Sequence, residues 1–265
     1  MTIDPSAQIH PSAVIDEGAR IGPDCKIGPF AVVGPEVTLG RGVELKSHSV
    51  VTGWTDIGDE TVVYSFACVG EVPQDLKFQG EHTQLVVGQR CRIREGATLN
   101  PGTEGGGGIT RVGDDCLLMT GAHVGHDAQV GNRVILANQA AVAGHCVLGD
   151  DVIVGGLSGI HQFVRIGRGA IIGAVTMVTN DVMPHGLVQA PRGELEGLNL
   201  IGLKRRGVER GEITALRAGY QMLAQGDGTF MDRVRRLAEE TDSAQVREIT
   251  DFILADSGRS FLTPK

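Results

Sequence analysis

Four of the chain's eight histidines, His123, His126, His145 and His161, fall within 39 residues, with Asp127 beside His126. Two chemistries use such a cluster. A neutral imidazole can take a proton from a hydroxyl near pH 7. Histidine also binds zinc, provided three or four ligands converge in fixed geometry. The neighbouring carboxylate favours proton transfer, because it can fix the imidazole tautomer and stabilise the imidazolium that forms.

The spacing shows what must bring these residues together. An aliphatic residue recurs every sixth position: Leu118, Val124, Val130, Leu136, Val142, Leu148, Val154 and Ile160. Six matches neither a helix nor an isolated strand. It matches a solenoid in which each hexad forms one face of a coil and its aliphatic residue points inward. Three faces make an 18-residue coil, so residues 18 apart stack at roughly the 4.8 Å strand spacing. His126, Gly144 and Gln162 then share one column, Asp127 and His145 the next, and Gly125, Ala143 and His161 the one before. Adjacent strand residues face opposite ways, so pairing His126 with Asp127 requires a corner, expected at Gly125. Gly144 would offer a backbone N–H to a developing oxyanion.

The register begins at Ile3 and runs through Val69, with small or β-branched residues four positions later, including Ala19, Cys25, Ala31 and Val43. Cys91, Cys116 and Cys146 occupy the same slot, so these cysteines read as small core residues. Two polar segments interrupt the repeat, near 71–86 and 104–111, and in a solenoid such insertions gather on the binding side. The first contains Gln74-Asp75-Leu76-Lys77, an acid beside a base. The second contains Gly105 to Gly108, which lacks the Lys-Ser/Thr of a phosphate loop. The repeat ends near Pro184 and Pro191. Ile213, Leu216, Tyr220 and Leu223, then Val246, Ile249 and Ile253, follow helical spacing, and Thr229 with Asp232 forms a capping-box pattern. Residues 1–190 are thus expected to form the solenoid and 191–265 a helical domain.

Aromatics make up only 4% of the 265 residues, so small aliphatics must fill the core. A net charge of −8 argues against a nucleic-acid binder. No apolar run approaches the ~20 residues of a membrane span, and MTIDPSAQIH lacks signal-peptide character. A cytoplasmic protein is expected. Eight basic against five acidic residues lie between Arg165 and Arg217, a local excess suited to phosphate or an acidic protein.

The hexads together with GAHVGHDAQVGNR, AGHCVLGDD, GIHQFVRIG, GEVPQDLK and GLKRRG closely resemble the bacterial acyl-carrier-protein:UDP-N-acetylglucosamine O-acyltransferases, almost end to end. The resemblance implies a mainly β protein, a left-handed parallel β-helix with a C-terminal α-helical domain, assembled as a homotrimer with active sites between subunits. It implies transfer of a 3-hydroxyacyl chain from the phosphopantetheine of acyl carrier protein to the 3-position of UDP-N-acetylglucosamine, the first step of lipid A synthesis, with no metal or other cofactor. His126 then matches the general base, Asp127 its orienting partner, and Gly144 the donor to the thioester oxygen. Gln74, Asp75, Lys77, His123, His145, His161 and Gln162 match sugar-nucleotide or acyl-chain contacts. Asn199 and Arg205 match nucleotide contacts from the adjacent subunit, and Ala174 the position that sets chain length. Many members carry His-Arg-Gly-Thr where this chain has Asn100-Pro101-Gly102-Thr103, which leaves hydroxyl and 3-amino acceptors both open. Ile201 stands where many carry a glutamate near the uracil. A trimeric, zinc-dependent β-helical carbonic anhydrase is the alternative of a different class, but no histidine pair here has its five-residue spacing.

Overall fold

The computed structural model describes residues 2–189, 194–255 and 260–264. The expected boundary at 190–191, with Pro191 and Arg192, lies outside them.

Mostly two-residue strands alternate with two-residue turns from Thr2–Ile3 to Met177–Val178, with four-residue strands at Trp54–Ile57, Gln84–Val87 and Ile109–Val112. They stack into three parallel sheets, which form the faces of a triangular prism. Face one runs from Thr2–Ile3 to Arg165–Ile166, face two from Gln8–Ile9 to Ile171–Ile172, and face three from Val14–Ile15 to Met177–Val178. The 18-residue register is visible in pairs such as Gln129 with Val147 and Ala141 with Gly159. The second residue of each strand enters the interior. From Ile21 onward these residues are buried, and Cys25, Cys91, Cys116 and Cys146 fill the small slots between them. Alternating large and small side chains fills a narrow core without voids.

Most of the two-residue turns place their second residue in the left-handed region, as at Asp24, His48, Asp127 and His145, which costs an L-amino acid about 1–2 kcal/mol. A hydrogen bond to the coil below offsets that cost. His145 N–H, for example, donates to the His126 carbonyl at 2.9 Å, and Glu60 N–H to that of Arg41 at 2.8 Å. The first turn residue contributes no N–H to this ladder, so proline is tolerated there at positions 5, 11, 23, 29 and 35.

The strand Gly186–Gln189 extends face two and pairs antiparallel with Glu194–Leu198. Four helices follow: α1 (Leu200–Arg205), α2 (Arg210–Gln225), α3 (Phe230–Glu240) and α4 (Ala244–Leu254). They bury the expected Ile213, Leu216, Leu223, Val246, Ile249 and Ile253, and Thr229 with Asp232 forms the capping box of α3. Among the described residues no helix is long and apolar enough to cross a membrane.

Candidate active site

His126 and Asp127 are the two turn residues at the corner where face three passes into face one. Here the left-handed residue is Asp127 itself, at φ +61°. Gly125, the expected corner, is not left-handed. Glycine is needed there because a Cβ would sit 2.8 Å from the Gly144 nitrogen of the next coil. The left-handed turn swings the Asp127 carboxylate back beside its neighbour, and Oδ2 accepts from His126 Nδ1 at 2.8 Å. Both side chains are buried.

Both polar interruptions emerge from this corner, after Cys68–Val69 and after Thr98–Leu99. They end slightly earlier than their sequence limits, because Gln84–Val87 and Ile109–Val112 are strands of face one. The second loop encloses the carboxylate. Thr103 donates its N–H to Asp127 Oδ1 at 2.9 Å and its hydroxyl to Oδ2 at 2.6 Å. A Cβ on Gly106 would overlap the same carboxylate. From the other side Asp127 N–H donates to Thr110 Oγ1 at 2.7 Å. The carboxylate is therefore fixed in rotation, and it fixes the imidazole in turn.

His145 stands one coil above Asp127. Its ring meets that of His126 edge-on at 4.9 Å and stacks on Phe163 at 4.4 Å. Its Nδ1 lies 3.8 Å from Asp127 Oδ2, too far for a hydrogen bond. Burial lowers the His145 pKa; the Asp127 charge opposes this and His126 adds to it. His123 projects outward on face three, with Nδ1 2.8 Å from Thr98 Oγ1. Burial, and secondarily His126, lower its pKa as well. Both are held toward the neutral form.

Gly144, one coil above, packs against the His126 ring, where a Cβ would lie 2.6 Å from ring atoms Cε1 and Nε2. Its N–H occupies the first-turn slot that the ladder does not use. Asp75, Lys77, Phe78 and Glu81 of the first loop face His145 and Phe163 across a cleft of about 330 Å³. Gln74 is exposed on the same loop, and His161 and Gln162 are exposed at the same corner one coil higher.

Three further residues lie elsewhere on the chain. Asn199 and Arg205 line a groove of about 640 Å³ over face two, with Ile135, Ile153, Ile171 and Ile201. Asn199 also caps α1, accepting from Gly202 N–H at 2.9 Å and donating to the Gly169 carbonyl at 2.8 Å. Ala174 is exposed at the corner between faces two and three. The basic stretch is thinner than its composition: Arg165 pairs with Asp181, Arg168 with Glu248, and Arg206 reaches His185. Lys204, Arg205, Arg210 and Arg217 remain exposed.

His126, Asp127 and His145 are compact enough to hold a metal, their ligand atoms lying within 4.8 Å of one another. The Asp127 oxygens, however, already accept from Thr103 twice and from His126. Those bonds occupy most of the carboxylate's acceptor sites, so the set fits an oriented base better than a metal ligand sphere.

Sequence reasoning missed Thr103, Thr110, Phe78 and Phe163. Phe163 carried a signal, since it lies 18 residues after His145 in the Asp127 column. The loop residues carried none.

A family model described as UDP-N-acetylglucosamine O-acyltransferase, domain 2, matches residues 181–262. One for bacterial transferase hexapeptide repeats matches 18–53 and 109–144. The acyl-[acyl-carrier-protein]–UDP-N-acetylglucosamine O-acyltransferase of Paracoccus denitrificans is 69% identical over 77% of this chain and 77% of its own. That of Rhizobium johnstonii is 47% identical over 84% and 82%. The solved UDP-N-acetylglucosamine acyltransferase from Campylobacter jejuni superposes with a TM-score of 0.89 at 39% identity, covering 93% of this chain and 96% of that one. LpxA from Acinetobacter baumannii gives 0.77 at 36%, covering 95% and 96%. The likeness covers most of the chain in sequence and nearly all of it in structure, and the chain belongs to the acyl-[acyl-carrier-protein]–UDP-N-acetylglucosamine O-acyltransferase family.

Proposed function

We propose that the protein transfers a 3-hydroxyacyl chain from acyl carrier protein to the 3-hydroxyl of UDP-N-acetylglucosamine, the first step of lipid A synthesis, in the cytoplasm. The observation that carries this reading is the 2.8 Å bond from His126 to an Asp127 carboxylate fixed by Thr103. With Nδ1 held as the donor, Nε2 is the basic nitrogen. It takes the proton of the sugar 3-hydroxyl as that oxygen attacks the thioester carbonyl. The new oxyanion accepts from Gly144 N–H. Collapse breaks the C–S bond, and the imidazolium returns its proton to the departing phosphopantetheine thiolate. Each proton is accounted for within the site, so the reaction draws on no further cofactor.

Gln74, Asp75, Lys77, His145, His161 and Gln162 would hold the sugar nucleotide around the cleft, with His123 toward the acyl side. Trimer formation would complete the site. Face two carries outward Leu117, Ile135, Ile153 and Ile171, and face three carries Val32, Val50 and Ala141. The corner between these faces exposes Phe30, Phe66, Leu157 and Val175. Three copies meeting along that corner would cover both apolar faces. The same arrangement sets the His126 corner of one copy against the Asn199–Arg205 groove of the next. An acyl chain entering the seam would run inward over face three toward Ala174. The exposed Lys204, Arg205, Arg210 and Arg217 suit an acidic carrier protein.

The test is acyl transfer to UDP-N-acetylglucosamine and its 3-amino analogue side by side. Preference for the hydroxyl sugar is expected. Turnover of the amine alone would change the acceptor to the amino sugar, and transfer to neither would overturn the reading.

A further inference from the structure

We propose that Asn100 is a positioning residue for the sugar-nucleotide cleft, acting by holding the first loop over His145. This rests on the function proposed above. Asn100 is buried at the foot of the second loop. Its Nδ2 donates to two successive carbonyls, Glu71 at 2.9 Å and Val72 at 3.1 Å. These are the opening residues of the first loop, so both amide hydrogens tie one loop to the root of the other.

The far end of the first loop is held differently. His82 stacks on Trp54 of face one, ring centroids 3.9 Å apart and 19° from parallel. Between these two anchors lie Asp75, Lys77, Phe78 and Glu81, the residues that face His145 and Phe163 across the cleft. The loop has little apolar content to hold it: Pro73 is buried and Phe78 half-buried, but Val72 and Leu76 are exposed. Its own bonds are mostly local, Lys77 N–H to Asp75 Oδ1 and Gln79 N–H to Glu81 Oε2, with one long bond of 3.4 Å from Glu104 N–H of the second loop to Glu81 Oε1. A segment with few buried contacts opens at a free energy set by its anchors. Loss of an anchor therefore lowers the fraction of molecules whose cleft is assembled, and apparent affinity falls by that fraction.

The geometry separates this role from direct catalysis. With both amide hydrogens directed at the loop root, Asn100 bears on Asp75 and Lys77 through the chain that carries them. The His126–Asp127 pair is held by Thr103 instead.

The experiment uses the full chain with Asn100→Asp and His82→Ala. Asn100→Asp keeps the shape but turns the amide into an oxygen facing two carbonyls. The KM for UDP-N-acetylglucosamine should rise about tenfold, with kcat at saturation changing less than about threefold. Trp54 is the single tryptophan, and its emission should change as His82 leaves the indole. His82 is exposed, so His82→Ala leaves the coil intact should Asn100→Asp fail to fold. It should raise KM several-fold through the other anchor. Unchanged KM in both variants would overturn the proposal, as would an Asn100→Asp enzyme that loses kcat at native KM. A native protein without acyl transfer would instead sink the proposed function, while the Trp54 response to Asn100→Asp would still decide whether the loop is anchored as argued.

Discussion

Thr103→Val exchanges a hydroxyl for a methyl where the second loop grips the Asp127 carboxylate. The lost bond is 2.6 Å long, buried, and made to an anion. Charge-assisted bonds of this kind contribute about 1.5–3 kcal/mol. Oδ2 would keep only the His126 donor, and the carboxylate would be steered by the single Thr103 N–H on Oδ1. If most of that loss falls on the transition state, where His126 becomes cationic, kcat should drop about tenfold to a hundredfold. Thr103→Ser restores the hydroxyl and should recover most of the rate. The assay is saturating acyl transfer, with a urea melt of each variant as the control for folding. A folded Thr103→Val enzyme within about twofold of native kcat would refute the argument that this loop holds the base in place.

Other substitutions probe separate parts of the site. Gly144→Ala puts a Cβ against the His126 ring, so kcat should fall at least about a hundredfold with a lowered melting temperature; native kinetics would remove Gly144 from the site. Burial, and secondarily His126, lower the His123 pKa, so as pH falls below about 6.5 the unfolded chain takes up its proton before the folded one does. Stability should fall on acidification through that range, and His123→Gln should reduce the slope, as urea melts at pH 7.5 and 5.5 would read. Ala174→Gly should shift the preferred acyl donor toward longer chains, and an unchanged donor profile would reject Ala174 as a determinant of length.

The solenoid was legible because one physical rule, an inward aliphatic every six residues, governs most of the chain from Ile3 to Val178 and fails only at the two loops. It placed Asp127 and His145 in one column and exposed both loops as breaks in register. The helical tail was readable for a similar reason, its apolar spacing shifting to that of a helix. Where the corner lies was misread. The corner was expected at Gly125, yet most turns use a left-handed second residue, and Asp127 takes that role supported by Thr110 Oγ1. Thr103 could not be found by periodicity, because its position depends on the path of a loop that follows none. The basic excess between Arg165 and Arg217 overstated the surface, since ion pairs within the fold hold Arg165 and Arg168.

The most direct test of the central claim is the turnover of His126→Ala with the acyl carrier protein thioester and UDP-N-acetylglucosamine, in a variant shown to keep its fold and assembly. Loss of the base should reduce kcat by about 10²–10⁴-fold, with a smaller change in KM. A variant retaining kcat within about tenfold of native would contradict His126 as the group that removes the acceptor's proton.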